Sequence, residues 1–136
     1  QLDDRLARRQ AMAERYAAGI AAIAGLRTLV AAPWTTRHAW WGHVVMVDAS
    51  RFGRDAAAVA AALGELGIGT RRLYHPLHLH APLRQFAHAT APLHVCEATA
   101  PQGLVLPSGN GLTAEQVDRV LAALRALAIT PSPAAP

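Results

Sequence analysis

The side chains best suited to chemistry are concentrated in one short stretch, residues 67–80. It reads GIGTRRLYHPLHLH and holds two arginines, a tyrosine and three histidines beside a proline. Arginine offers a bidentate fork for phosphate or carboxylate, and tyrosine and histidine offer directed hydrogen bonds. Pro76 restricts the backbone between them. This composition predicts a loop that contacts a polar ligand, or alternatively one that caps a sheet and pairs with a neighbouring surface.

Metal binding is one chemistry that this stretch could serve. The candidate ligands are His75, His78, His80, His88, His94 and Cys96. Their spacing matches no standard zinc signature. A cupin-like His-x-His pattern would need a glutamate a few residues later, and residues 81–96 contain none. We therefore predict no metal site.

Nucleophilic and phosphate-loop catalysis find little support elsewhere in the chain. Ser50, Ser108 and Cys96 lack the flanking glycines of a nucleophile elbow. The Gly109–Gly111 turn lacks the Lys-Ser/Thr of a P-loop. All 13 basic residues are arginines, so no lysine amine is present. We predict no catalytic residue within this chain.

Composition limits the function further. A chain of 136 residues with 52% apolar and 16% charged residues is expected to fold as one domain. The net charge of +4 is scattered and matches no nucleic-acid module, and no apolar run is long enough for a membrane span. The single cysteine indicates a reducing, cytoplasmic setting. We expect residues 1–129 to form the domain, residues 130–136 to be a disordered proline-rich tail, and the chain to be a piece of a longer protein.

Hydrophobic periodicity predicts a two-layer α/β fold, with a three-stranded sheet covered by helices on one side. The expected helices are 2–23, 54–66, one that ends near Ala100, and one that begins at Thr113; the expected strands are 38–48, 68–73 and 104–106. Thr113 and Gln116 have the spacing of a capping box. Trp40 and Trp41 are expected in the core or at a domain interface.

Two segments carry a resemblance to a known family. Residues 68–78, IGTRRLYHPLH, resemble the conserved loop of the DegT/DnrJ/StrS sugar aminotransferases. Residues 104–120, LVLPSGNGLTAEQVDRV, are similar to the closing strand, turn and helix of that family. Residues 2–16 resemble its connecting helix, so the likeness covers nearly the whole chain.

The resemblance implies the C-terminal small domain of a fold-type-I enzyme that depends on pyridoxal 5'-phosphate. Such enzymes transfer an amino group from an amino-acid donor to a keto sugar, often a nucleotide-linked hexose, or to a keto-cyclitol, and work as homodimers. Their Schiff-base lysine and cofactor pocket lie in the large domain, which would precede this chain. The alternative is a stand-alone binding or regulatory module derived from that domain, without catalysis.

The resemblance also implies which residues meet the substrate. His78 is the best candidate for a substrate contact, followed by Tyr74 and His75. Arg71 and Arg72 match the family's arginine pair and would steer a phosphate-bearing substrate. His43 departs from the family pattern, which usually has tyrosine there.

Overall fold

The computed structural model describes residues 1–86 and 93–129. This part of the chain contains five α-helices and four strands. The helices are α1 (Leu2–Ala21), α2 (Ala49–Phe52), α3 (Ala56–Glu65), α4 (His94–Thr99) and α5 (Ala114–Leu127), and the strands are β1 (Leu26–Thr28), β2 (His43–Val47), β3 (Arg71–Arg72) and β4 (Gly103–Leu106). None of the helices in these two ranges is both long enough and apolar enough to cross a membrane. The predicted disordered tail, residues 130–136, lies outside the described residues.

The four strands form one antiparallel sheet in the order β1-β2-β4-β3. The α/β class is confirmed, but the predicted strand number of three is wrong. The missing strand, β1, has only three residues and follows α1 closely, so it shows no alternating pattern of its own. The predicted strand 68–73 contracts to Arg71–Arg72, the only residues there that pair with β4.

The core lies between one face of the sheet and the helices α1, α3 and α5. Alternate strand residues supply the sheet side, namely Leu26, Val45, Val47, Leu104 and Leu106. Burial of such apolar side chains is the main favourable term in folding. The helices supply Tyr16, Ile20, Val59, Leu63, Val117, Val120, Leu121 and Leu124. The domain is therefore two-layered, as the hydrophobic pattern predicts.

Helix α5 begins as the sequence predicts. The Thr113 hydroxyl accepts a hydrogen bond from the Gln116 amide at 3.3 Å, and the Gln116 side chain accepts one from the Thr113 amide at 2.9 Å. These reciprocal bonds satisfy two amides that the first turn of a helix leaves without partners. The capping box is confirmed. It could be predicted from the sequence because it depends only on residues three apart.

Helix α1 ends earlier than predicted. The helix stops at Ala21, and Gly25 lies beyond it in a left-handed turn with φ of 80° that leads into β1. A Cβ at Gly25 would meet the backbone nitrogen of Phe52 at 2.4 Å. Glycine is thus needed there for the turn and for the close approach of α2.

His43 is the one buried polar residue among the core residues of the described ranges, with 2% of its surface exposed. Its ring stacks on Tyr16 with centroids 4.6 Å apart, and neither ring nitrogen has a hydrogen-bond partner in the described part of the chain. Burial lowers the pKa of His43 from 6.5 to about 4, because the charged imidazolium loses its hydration. His43 therefore packs as a neutral ring.

This burial makes stability depend on pH. As the pH falls below 6.5, the unfolded chain binds a proton at His43 before the folded chain does, so stability is full above pH 6.5 and declines toward pH 4. We expect protonation linked to His43 to lower the free energy of unfolding by about 2 kcal/mol between pH 7 and pH 5. Urea unfolding of wild type and His43→Phe at both pH values measures this. Carboxylates titrate alike in both proteins, so equal losses in both would contradict the assignment.

Candidate functional site

A cleft of about 520 Å³ opens beside the end of β4. The side chains that give it chemical character are Arg9, Trp41, Arg71, Arg72, Tyr74 and Ser108. They come from α1, from the segment before β2, from β3 with its following loop, and from the turn after β4. The cleft is therefore formed by four segments that lie far apart in sequence.

Pairing of β3 with β4 places the two arginines. Arg71 lies opposite Val105 and Arg72 opposite Leu104, and the Leu73 amide donates to the Gly103 carbonyl at 3.1 Å. Both arginines are exposed. Successive strand residues leave the backbone in different directions, but at this sheet edge both arginines border the cleft. Arg72 also borders a neighbouring hollow that contains His75.

Side chains from α1 hold the opposite wall. Tyr16 Oη donates to the Pro107 carbonyl at 3.0 Å, and burial raises the pKa of Tyr16, so its hydroxyl stays protonated. Arg9 Nε donates to Asn110 Oδ1 at 2.7 Å. The turn at residues 107–110 is thus fastened to α1 at two points.

The charge of the cleft is positive. Arg9, Arg71 and Arg72 border it, and we call it the arginine cleft. None of the residues that line it is an aspartate or glutamate. In the described ranges, the Arg71 and Arg72 side chains donate to no carboxylate. Guanidinium groups without carboxylate partners bind phosphate or carboxylate in bidentate fashion. The cleft is suited to an anion.

His78 lies away from this cleft and contacts Glu97. His78 Nε2 is 2.8 Å from Glu97 Oε1, and the side chains are 18% and 40% exposed. The contact joins the 3₁₀ turn Leu77–Leu79 to α4. Beside it is an apolar hollow of about 510 Å³ lined by Pro76, Leu77, Leu83, Phe86, Leu93 and Cys96.

His75 and His80 form a second contact within the loop. Their rings meet edge to face with centroids 4.9 Å apart, and His80 Nε2 lies 3.3 Å from the His75 carbonyl. The five predicted substrate-binding residues are thus divided. Arg71, Arg72 and Tyr74 line the arginine cleft, and His75 and His78 border the neighbouring hollows.

Sequence reasoning missed three participants, namely Arg9, Trp41 and Glu97. The sequence assigns no role to Arg9, and it places Trp41 in the core or at a domain interface. No local signal marks Glu97 as the partner of His78, because the two are 19 residues apart. No local signal marks Arg9 either, because its partner Asn110 is 101 residues away.

Metal chemistry finds no grouping in the described part of the chain. Among residues 1–86 and 93–129, no three His, Cys, Asp or Glu side chains come together as a metal site would require. Cys96 is exposed there, and its thiol donates to the Leu93 carbonyl. His88, another candidate ligand, lies outside the described residues.

Comparison with known proteins identifies the family. The model of the DegT/DnrJ/EryC1/StrS aminotransferase family matches residues 1–125. The chain belongs to this family. The fold prediction is confirmed with it, because the solved structures of DesV and of Spr1654 from Streptococcus pneumoniae each superpose on 93% of this chain with a TM-score of 0.79.

Individual relatives agree with this assignment. GDP-perosamine synthase of Caulobacter vibrioides is 35% identical over 126 residues, which are 91% of this chain and 33% of that protein. DesV of S. venezuelae, solved with a ketimine intermediate, is 30% identical with a TM-score of 0.79 over 93% of this chain and 32% of its own. TlmJ of Streptoalloteichus hindustanus is also 30% identical, with a TM-score of 0.75 over 90% and 31%. This aminotransferase-family chain therefore spans about a third of the length of its relatives.

The His78–Glu97 contact predicts a measurable coupling. Single and double alanine variants at His78 and Glu97 should show a coupling of about 0.5–1 kcal/mol in the free energy of unfolding, kept small because Glu97 is partly solvated. Urea unfolding of the four proteins gives this value. His94 is the matched control, since it is 81% exposed and 4.0 Å from Glu97 Oε2. Equal coupling of Glu97 to both histidines would contradict the assignment.

Proposed function

We propose that this chain is the small, C-terminal domain (residues 1–129) of a pyridoxal-phosphate-dependent aminotransferase that acts on a nucleotide-linked keto sugar, with an amino acid as donor. The observation that carries the proposal is the family match over residues 1–125. The 35% identity to a protein named GDP-perosamine synthase supports the choice of a nucleotide sugar. A keto-cyclitol is the alternative acceptor.

The residues of this chain do not fit the covalent role toward pyridoxal phosphate. That role requires a lysine amine, and the 136 residues contain no lysine. The cofactor would therefore be held by another part of the longer protein. We infer that this chain alone neither binds pyridoxal phosphate covalently nor transaminates.

What this chain would contribute is substrate binding and orientation. The diphosphate of a nucleotide sugar carries negative charge, and the arginine cleft offers Arg71 and Arg72 to receive it. Tyr74, which is 70% exposed at the same cleft, has a hydroxyl that can bond a phosphate or sugar oxygen. Binding energy gained on these remote groups can be used to orient the reacting carbonyl.

The two histidines would serve the sugar end of the substrate. Glu97 holds His78 Nε2, so Nδ1 is the ring atom that would meet a sugar hydroxyl. His75 borders the hollow that shares Arg72 with the arginine cleft, which makes it the next candidate. Fixing a histidine by a carboxylate on its far nitrogen is a common way to orient the ring.

The wider setting of the enzyme belongs to the proposal as well. We infer a homodimer in the cytoplasm, from the family for the dimer and from the single cysteine for the compartment. Neither nucleic acid nor membrane is part of the proposed function. The small-molecule substrates would reach the cleft from solvent.

Mapping the cofactor attachment tests the proposed function. The full-length protein is loaded with pyridoxal phosphate, reduced with borohydride, digested and analysed by mass spectrometry. We expect one pyridoxyl-modified lysine, located outside these 136 residues, together with amino transfer to a nucleotide keto sugar. The chain of residues 1–136 treated in the same way is the control and should acquire no pyridoxyl lysine.

Failure to find any pyridoxyl lysine in the full-length protein would contradict the proposal. In that case the chain would be a binding or regulatory module of the same fold. Amino transfer to a keto-cyclitol with none to nucleotide sugars would instead correct the acceptor. The two results are distinguished in one set of assays.

A further inference from the structure

Trp41 is an exposed aromatic side chain in a cleft that otherwise carries positive charge. It is 65% exposed and borders the same cleft as Arg71, Arg72 and Tyr74. A large apolar ring is costly to leave in water, and single exposed aromatics are common on binding surfaces. The position of Trp41 beside the arginines suits a ligand with both a flat ring and negative charge.

The backbone before Trp41 is held in an unfavourable conformation. Trp40 has φ of 47°, the only positive φ at a non-glycine position in the described ranges. Side chains with a Cβ are disfavoured there, and such residues cluster at functional sites when the surroundings enforce them. Trp40 Nε1 donates to Gln10 Oε1 at 2.6 Å, and the Trp40 amide donates to His38 Nδ1 at 3.0 Å.

Both peptide carbonyls around Trp41 are also anchored. Arg9 Nη1 donates to the Trp40 carbonyl at 3.1 Å, and Ser108 Oγ donates to the Trp41 carbonyl at 3.2 Å. These bonds fix the Trp41 backbone between α1 and the turn after β4. Its ring stays outside while its main chain is held, which is the arrangement of a preformed contact surface.

The chemistry on the two sides of the cleft fits one kind of ligand. Guanidinium groups bind phosphates, and an indole face stacks on a planar heterocycle. A nucleoside diphosphate carries both groups on one molecule. A free phosphate would use the arginines and leave the indole uncovered.

We propose that Trp41 is the stacking platform for the base of the nucleotide-linked substrate, with Arg71 and Arg72 on its phosphates. This inference rests on the function proposed above and adds the residue that favours a nucleotide over an inorganic phosphate. Trp40 is a positioning residue, because its left-handed backbone and its bonds to α1 set the direction of Trp41.

Binding measurements on the full-length protein test the platform. Affinities for GDP and for inorganic pyrophosphate are measured by calorimetry for wild type, Trp41→Ala, Trp41→Phe and Arg71→Gln. Trp34→Phe is the control, because Trp34 is 83% exposed but does not border the cleft. Circular dichroism checks that each variant is folded. If Trp41→Ala does not fold, Trp41→Phe, which keeps an aromatic ring, still tests the role of the indole.

We expect Trp41→Ala to weaken GDP binding about tenfold to a hundredfold and to leave pyrophosphate binding unchanged. Trp41→Phe should retain most of the GDP affinity, since a smaller ring still stacks. Arg71→Gln should weaken both ligands, and Trp34→Phe neither. If Arg71→Gln alone weakened ligand binding, the phosphate role in the proposed function would be supported and the stacking platform would be overturned.

Other results also decide the question. Equal weakening of GDP and pyrophosphate by Trp41→Ala, or equal damage by Trp41→Phe, would overturn stacking. An unchanged GDP affinity with a lowered melting temperature would assign Trp41 to an interface within the longer protein. A selective loss of GDP in Trp41→Ala with no effect of Arg71→Gln would uphold the platform and contradict the phosphate role. A wild-type protein that binds neither ligand would overturn the inference.

Discussion

The pairing of β4 on both of its edges is the constraint on which the arginine cleft depends. On one side it pairs with β2, where His43 lies opposite Leu106, and on the other it pairs with β3, where Arg71 lies opposite Val105. Because both partners are antiparallel to β4, the segment before β2 and the segment before β3 approach the same end of this short strand, where the cleft opens. No single segment of the chain could form the cleft alone.

The features that were predictable from the sequence are those set by near neighbours. The capping box at Thr113, the apolar stripe of α5 and the strand around Val45 depend on residues a few positions apart, and the structure has all three. The resemblance to the aminotransferase family rested on combined short motifs, and it holds over residues 1–125.

The remaining features depend on partners distant in sequence. Strand β1 forms because Leu26 pairs with Val47 of β2. Strand β3 is only two residues long because its pairing with β4 begins at Arg71. A left-handed residue, Trp40, precedes the exposed Trp41, and no residue type in the sequence predicts that conformation. His78 faces Glu97 rather than the arginines, and a loop read as one functional unit is therefore divided between the cleft and two hollows. The local sequence pattern predicts helices and strands, whereas the tertiary contacts between them decide which side chains lie together in the cleft.

Our central proposal is that the arginine cleft receives the nucleotide part of the substrate. Hydrogen exchange of the full-length protein, with and without GDP, measures this directly because bound ligand slows exchange of nearby amides. We predict slower exchange in residues 40–42, 69–74 and 105–109, with α4 unchanged. Slower exchange confined to α4, or no change in the three cleft segments at saturating GDP, would contradict the account.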